Sequence, residues 1–141
     1  MKAIVKWMGD AQFIVENTRH LNLAVTDSKY RAESGEPTSI DLIIMGFAGC
    51  IYSEFRKVAE SRRIPFDQFG TELFLEFYGD QSKPITMKVD LKTKSRIKSD
   101  LVRECLKQAV NNSMPGLLLS GAGITIESDV TVNHSSEVLF F

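Results

Sequence analysis

The chain has 141 residues, 43% apolar and 25% charged, which fits one globular domain with a genuine core and excludes disordered or fibrous classes. Its net charge of −1 provides no basic footprint for nucleic acid or an anionic membrane surface. The most apolar run, Ile40 to Tyr52, is too short to span a bilayer and carries Asp41.

The N-terminal Met1-Lys2-Ala3-Ile4-Val5-Lys6-Trp7 lacks the apolar stretch and small-residue cleavage site of a signal peptide, so the cytoplasm is the expected compartment. Residues 2–7 and 11–16 read as short strands around a turn at Met8-Gly9-Asp10. His20 to Val25 alternates with period two and reads as a third strand. Residues 27–37 hold Asp, Ser, Gly and Pro and read as a loop. Thr38 or Ser39 then supplies an N-cap, with Asp41 in the first turn, and a helix is expected over about 39–62. Phe69 to Tyr78 alternates, with Leu73, Leu75 and Phe77 on one face. Thr86 to Ser95 alternates too, with Met87, Val89 and Leu91 against Lys88, Asp90, Lys92 and Lys94. A second helix is predicted over 99–112, with Leu101, Val102, Cys105, Leu106, Ala109 and Val110 on its apolar stripe. Met114-Pro115-Gly116 breaks it, and Ile124 to Val132 closes the chain with a last strand.

The order β-β-β-α-β-β-α-β makes an α+β fold with mostly antiparallel sheet, treated as a single domain over residues 1–141. The first helix is apolar nearly all round from Ile40 to Ile51. Such a helix must be covered on every face, and one thin sheet covers only one. Gly46, Ala48 and Gly49 remove bulk and let another backbone approach. An intertwined homodimer is therefore expected.

The stretch Pro37-Thr38-Ser39-Ile40-Asp41-Leu42-Ile43-Ile44-Met45-Gly46-Phe47-Ala48-Gly49-Cys50 resembles the signature of the OsmC/Ohr family (osmotically inducible protein C and organic hydroperoxide resistance proteins). Ala59 with Ile64-Pro65 resembles the family's exit from its central helix, and later elements follow in the same order. The resemblance implies a dimer with two long central helices and sheets wrapped outside them. It also implies a role in the oxidative stress response: reduction of organic hydroperoxides by two cysteines. The first attacks as thiolate and becomes a sulfenic acid; the second, in a Cys-Pro-Val segment, closes a disulfide that a dithiol reopens. Here Cys50 matches the first cysteine. Asn112-Ser113-Met114-Pro115-Gly116 stands where the second is found, and Met114 takes its position. A thioether forms no such disulfide, so the usual two-cysteine cycle is closed to this chain.

The other cysteine, Cys105, lies on the apolar stripe of the second helix and reads as a small core hydrophobe. A reactive Cys50 needs a nearby cation, because it lies some three turns into its helix, beyond the reach of the macrodipole. By resemblance that cation is Arg31, in Tyr30-Arg31-Ala32-Glu33, with Arg19 as runner-up, and Asp41 is the acidic partner. The competing readings are an ordinary loop cation and an ordinary helix-start charge. Nine residues at about 100° each set Asp41 on the opposite side of the helix from Cys50, so it serves to orient Arg31 or the other subunit's site. Phe47, Ile51 and Met114 are the candidate substrate-binding residues and would favour bulky organic hydroperoxides.

Two functions stay open at this point. One is a one-cysteine thiol peroxidase whose sulfenic acid is reduced by an external thiol. The other is a non-catalytic domain binding a small apolar ligand at the dimer interface. With two histidines and no clustered Cys/His spacing, no metal site is expected, and no phosphate- or dinucleotide-binding motif suggests a cofactor. Lys88, Lys92, Lys94, Arg96 and Lys98 form a basic run that reads as the wet face of a strand or as edge protection. His20 reads as a strand surface residue. The apolar Val138-Leu139-Phe140-Phe141 either packs on a dimer or is a segment appended to the chain.

Overall fold

The structure, a computed structural model, describes residues 2–9, 12–26, 35–65, 71–80, 82–94 and 97–133. Arg31, Arg96 and the C-terminal apolar segment lie outside the described residues. The chain divides into two compact units, residues 1–46 and 47–141.

In the first unit, β1 (Ala3–Gly9), β2 (Gln12–Asn17) and β3 (Asn22–Thr26) form an antiparallel sheet in that order. The register aligns Val5, Val15 and Leu23 in one cross-strand row and Ile4, Glu16 and Asn22 in the next. His20 stands in the turn before β3, not in the strand. Asn17 Oδ1 accepts the N–H groups of Arg19 and Leu21 at 2.9 and 3.0 Å, and this asparagine-centred turn holds His20 at φ 62°. The chain reaches its long helix through contacts back to the sheet. Thr26 N–H donates to the Pro37 carbonyl at 3.1 Å, and the Thr26 hydroxyl and Gln12 amide donate to Glu36 at 2.8 and 3.2 Å.

Helix α1 spans Ser39–Ser61. Thr38 is its N-cap. The Asp41 N–H donates to Thr38 Oγ1 at 3.2 Å, while Asp41 Oδ2 accepts the Thr38 N–H at 2.9 Å. This is a reciprocal capping box with aspartate as the acid. The helix stops where Arg63 turns left-handed at φ 54°. Ile64 N–H then bonds the Ala59 carbonyl at 2.9 Å and Arg63 N–H bonds Glu60 at 3.0 Å, a Schellman closure followed by Pro65.

The second unit is built on β4 (Glu72–Asp80), β5 (Lys83–Lys94) and β6 (Thr125–Asn133), again in that order. The β4–β5 hairpin is antiparallel. Its turn is tied by Asp80 Oδ1, which accepts from the N–H groups of Ser82 and Lys83 at 2.8 and 3.0 Å. The β5–β6 pair is parallel, the one parallel pair among the described strands, so the sheet is mostly antiparallel as expected. A parallel pair needs a crossover, and here it holds two helices, α2 (Ser99–Asn112) and α3 (Met114–Gly121). The α+β class stands, with order β-β-β-α-β-β-α-α-β.

Helix α3 corrects the expected element order. Met114-Pro115-Gly116 does not merely end a helix; it starts one. Pro115 lies in the first turn, where a missing N–H costs nothing. Ser113 is buried and serves both helices. Its hydroxyl donates to the Val110 carbonyl at 2.8 Å and accepts the Gly116 N–H at 3.1 Å.

One face of this second sheet meets α1 and α2. Ile51, Phe55 and Val58 from α1 join Met87, Val89 and Leu91 from β5, Val130 from β6, and Val102, Cys105, Leu106, Ala109 and Val110 from α2. Each large side chain buried this way contributes about 1.5–3 kcal/mol. On the other face Glu76, Lys88 and Glu127 align across three strands, and Lys92 lies over the Phe74 ring at 4.9 Å from its centroid. Opposite charges placed side by side explain the basic run in β5 without a polyanionic partner.

The Ser113 junction makes a sharp test. A Cβ on Gly116 would lie 1.8 Å from the Val110 carbonyl oxygen, whereas one on Gly121 meets nothing within 4 Å. Gly116→Ala is expected to lower the urea unfolding free energy by about 1–3 kcal/mol, with Gly121→Ala neutral or mildly stabilising. Equal effects of the two would contradict the described junction.

Candidate functional site

Three residues of α1 set the surroundings of Cys50. Ile51 is wholly buried and locks one side of the helix into the core, so its side chain packs and leaves no surface for a substrate. Phe47, one turn before Cys50, is half-buried, and its ring meets that of Phe77 on β4 with centroids 6.3 Å apart and planes tilted by 50°. Cys50 itself is exposed. Gly49 beside it leaves open space, since an added Cβ there would meet nothing within 4 Å.

The second thiol is in the opposite situation. Cys105 is 1% exposed within the core. Desolvation pushes its pKa up; the charge of Arg62 opposes that shift and Glu104 adds to it. Arg62 is held nearby by Glu104 at 3.4 Å and by Gln108, bridging the end of α1 to α2. The thiols thus differ in exposure: one is open to attack and to reagents, the other is sealed and kept neutral.

Asp41 is spent first on its own helix, through the bonds to Thr38 described above. It also lines an open cavity of about 530 Å³ in the first unit, with Gly35, Glu36, Pro37, Ile44 and Met45. Arg31 lies outside the described residues. Arg19 takes part in the Asn17 turn through its backbone N–H. Met114 opens α3 and is 57% exposed, with Leu117 and Leu118 exposed one turn on. Among the described residues no cluster of three or more His, Cys, Asp or Glu side chains is set to hold a metal ion, and no helix is long and apolar enough to cross a membrane.

Phe77 went unnoticed in the sequence as a site neighbour. Its alternation marks it only as an inward residue of β4; the contact with Phe47 depends on how α1 lies on the sheet, which periodicity does not encode.

The contrast between the thiols predicts their chemistry. In native Cys50→Ser protein, Cys105 is expected to react with a disulfide reagent only as the chain opens, while wild type shows a prompt reaction at Cys50. Because the Cys105 pKa is raised in the fold, its neutral thiol costs nothing below the ordinary thiol range. Above that range the unfolded chain deprotonates first, and stability is lost as pH rises towards the folded value. Urea titrations from pH 7 to 10 should therefore show a steeper decline for wild type than for Cys105→Ala. Prompt labelling of Cys105 in the native variant would contradict its burial.

No curated protein matches the chain in sequence. Among solved structures, an OsmC-like protein from Mycoplasma pneumoniae superposes with a TM-score of 0.77 at 11% identity, covering 94% of this chain and 96% of that one. The OsmC organic hydroperoxide resistance protein from Legionella pneumophila gives 0.64 at 19% identity, covering 95% and 98%. The organic hydroperoxide resistance protein OhrB of Bacillus subtilis gives 0.62 at 15% identity, covering 94% and 98%. At these identities the structures establish a shared fold. The profile describing OsmC-like proteins matches residues 32–129, well over half of the sequence, and the chain belongs to the OsmC-like protein family.

Proposed function

We propose that this protein is a one-cysteine thiol peroxidase acting on organic hydroperoxides through Cys50. The observation that carries the reading is the exposure of Cys50 on α1, at the end of the family motif, while the other thiol is buried. Two similar structures are named as organic hydroperoxide resistance proteins, which supports the substrate class. In the first step the Cys50 thiolate attacks the peroxide's terminal oxygen, the O–O bond breaks, and the alcohol leaves after taking a proton; the sulfur is oxidised to sulfenic acid. A small external thiol then displaces water from that sulfur to form a mixed disulfide, and a second equivalent releases Cys50 as the thiol. The reductant is external because Met114, in place of the second cysteine, cannot form a disulfide.

The activating cation in this reading is Arg31, oriented by Asp41, whose carboxylate already sits at the start of α1. Phe47 and Met114 provide apolar surface for the organic part of the peroxide, with Ile51 fixing the helix from behind. A second reading has one observation in its favour. The cavity of about 530 Å³ beside Ile44 and Met45 falls in the size range of small-molecule sites, as expected of a non-catalytic domain that binds a small apolar ligand.

The working unit in this proposal is a homodimer. Ile40, Ile43 and Met45 on α1 are at least half exposed within the single chain, and Trp7 on β1 is 75% exposed. Apolar surface of this extent on a single chain marks an interface. Light scattering at micromolar concentration is expected to give twice the chain mass of 15.8 kDa, and a folded monomer would refute the assembly.

The chemistry is tested by stopped-flow reaction of cumene hydroperoxide with wild type, Cys50→Ser and Arg31→Ala, trapping sulfenic acid with dimedone. Wild type should react at least about 10²-fold faster than free glutathione, as a positioned thiolate does. Cys50→Ser should not react, and Arg31→Ala should be slowed at least about tenfold. A wild-type rate no higher than that of glutathione sinks the peroxidase reading in favour of ligand binding.

A further inference from the structure

We propose that Glu54, held by Lys57 on the turn after Cys50, sets the charge preference of the Cys50 site and selects a thiol carrying an amine as the external reductant over an anionic thiol. The proposal rests on Cys50 being the reacting thiol and names the class of its second substrate.

At about 100° per residue, Glu54 lies about 40° round α1 from Cys50 and Lys57 about 20° to the other side, so the three residues form one strip. Residues four apart are neighbours, with Cβ atoms about 5–6 Å apart. Helical side chains lean toward the helix N-terminus, so Glu54 leans over the turn that carries Cys50. Lys57 leans the same way, and its Nζ donates to Glu54 Oε1 at 2.9 Å. The Glu54 side chain is 27% exposed, beside the core residues Phe55 and Val58, whereas that of Lys57 is 71% exposed. Along the helix, the negative member of the pair stands one turn from Cys50 and the positive member two. The other ion pair of α1, Arg56 with Glu60 at 3.6 Å, begins about 120° round the helix from Cys50.

The apolar residues offered to a second copy, Ile40, Ile43 and Met45, precede Cys50 in the helix. The strip beyond Cys50 carries charge, which interface cores exclude. A reagent bound for Cys50 in the dimer therefore comes from the side of Glu54 and Lys57, and it passes the ion pair whatever the second copy covers on the other side. Arg31, in the reading above, is matched by Asp41, which leaves the balance of charge to Glu54. A unit charge one turn away changes the local concentration of a singly charged reagent about threefold in water, in opposite senses for a cation and an anion. Attack of a thiol on the Cys50 sulfenic acid, with water leaving and a mixed disulfide forming, sets the charge of that thiol beside the carboxylate. An ammonium two carbons from the attacking sulfur is drawn in, and a sulfonate or carboxylate there is repelled.

The first test reads the charge preference without peroxide. 2-Aminoethyl and 2-sulfonatoethyl methanethiosulfonate each transfer their thiol half to the Cys50 sulfur and release methanesulfinate, and they differ in the sign of their charge. The ratio of the cation rate to the anion rate at Cys50 is followed by intact-mass spectrometry at low salt. Divided by the same ratio for 2-mercaptoethanol, it is expected to be at least about two. Glu54→Gln should lower this ratio at least about threefold, because Lys57 is left behind. Lys57→Gln should raise it at least about twofold, because the carboxylate is left unmatched; Lys57 is exposed, so this variant carries the test should Glu54→Gln not fold. In 1 M salt, where screening acts within about 3 Å, all three proteins should return to the mercaptoethanol value. A wild-type ratio of one or less, or a folded variant that leaves the ratio unchanged or moves it the opposite way, overturns the proposal. The same proteins are then oxidised with cumene hydroperoxide, and the sulfenic acid is reduced with cysteamine or 2-mercaptoethanesulfonate. Wild type should favour cysteamine and Glu54→Gln should do so less; equal preference in the two overturns the choice of reductant. Inertness to the peroxide with the charge preference intact refutes only the peroxidase reading.

Discussion

Ile51, Phe55 and Val58 commit one side of α1 to the core, and the placement of the reactive candidate follows from that commitment. These residues recur at spacings of four and three, so they form one stripe of the helix, and all are buried against β5, β6 and α2. Cys50 is rotated about 100° from Ile51 and cannot share that stripe. Its exposure is thus a consequence of core packing. The same stripe explains why Cys105, on the facing stripe of α2, is sealed. Both cysteines lie on helices that build one core, and helical phase alone sends one outward and the other inward.

The ends of the elements show how few polar groups set the geometry around that core. Thr38 and Asp41 start α1, and Arg63 accepts a left-handed backbone to end it. Ser113 closes one helix and opens the next with a single hydroxyl, which turns the crossover and returns the chain parallel to β5. In each case a short side chain or a positive φ satisfies backbone groups that the helix leaves unpaired. The turns are consequently sharp, and α3 follows α2 after a single residue.

Much of this was legible in the sequence. Strict alternation in Met87, Val89 and Leu91 gave β5 its face, and the Pro37-Thr38-Ser39 start and Pro65 stop framed α1 to within about a residue. The differences arise from hydrogen bonds that a hydropathy pattern does not encode, local ones included. Periodicity does not distinguish a parallel from an antiparallel neighbour, so the sequence left the pairing of β6 open. Pro115 reads equally as the end of one helix and the start of another, and only the Ser113 hydroxyl bonds decide between them. His20 carries the alternation of a strand, yet Asn17 three residues earlier draws it into a left-handed bend. At the site, the motif ending in Cys50 could be read directly. The burial of Ile51 and the contact of Phe77 with Phe47 could not, since both depend on how α1 lies on the sheet.

The replacement of a second cysteine by Met114 reshapes the problem the protein has to solve if Cys50 is the peroxidatic thiol. A resolving cysteine in the same chain would be present at a high effective concentration and would intercept the sulfenic acid before more peroxide arrived. Without it, protection depends on how quickly a free thiol reaches Cys50. The exposure that opens the sulfur to a peroxide also opens it to that thiol, so access works in both directions.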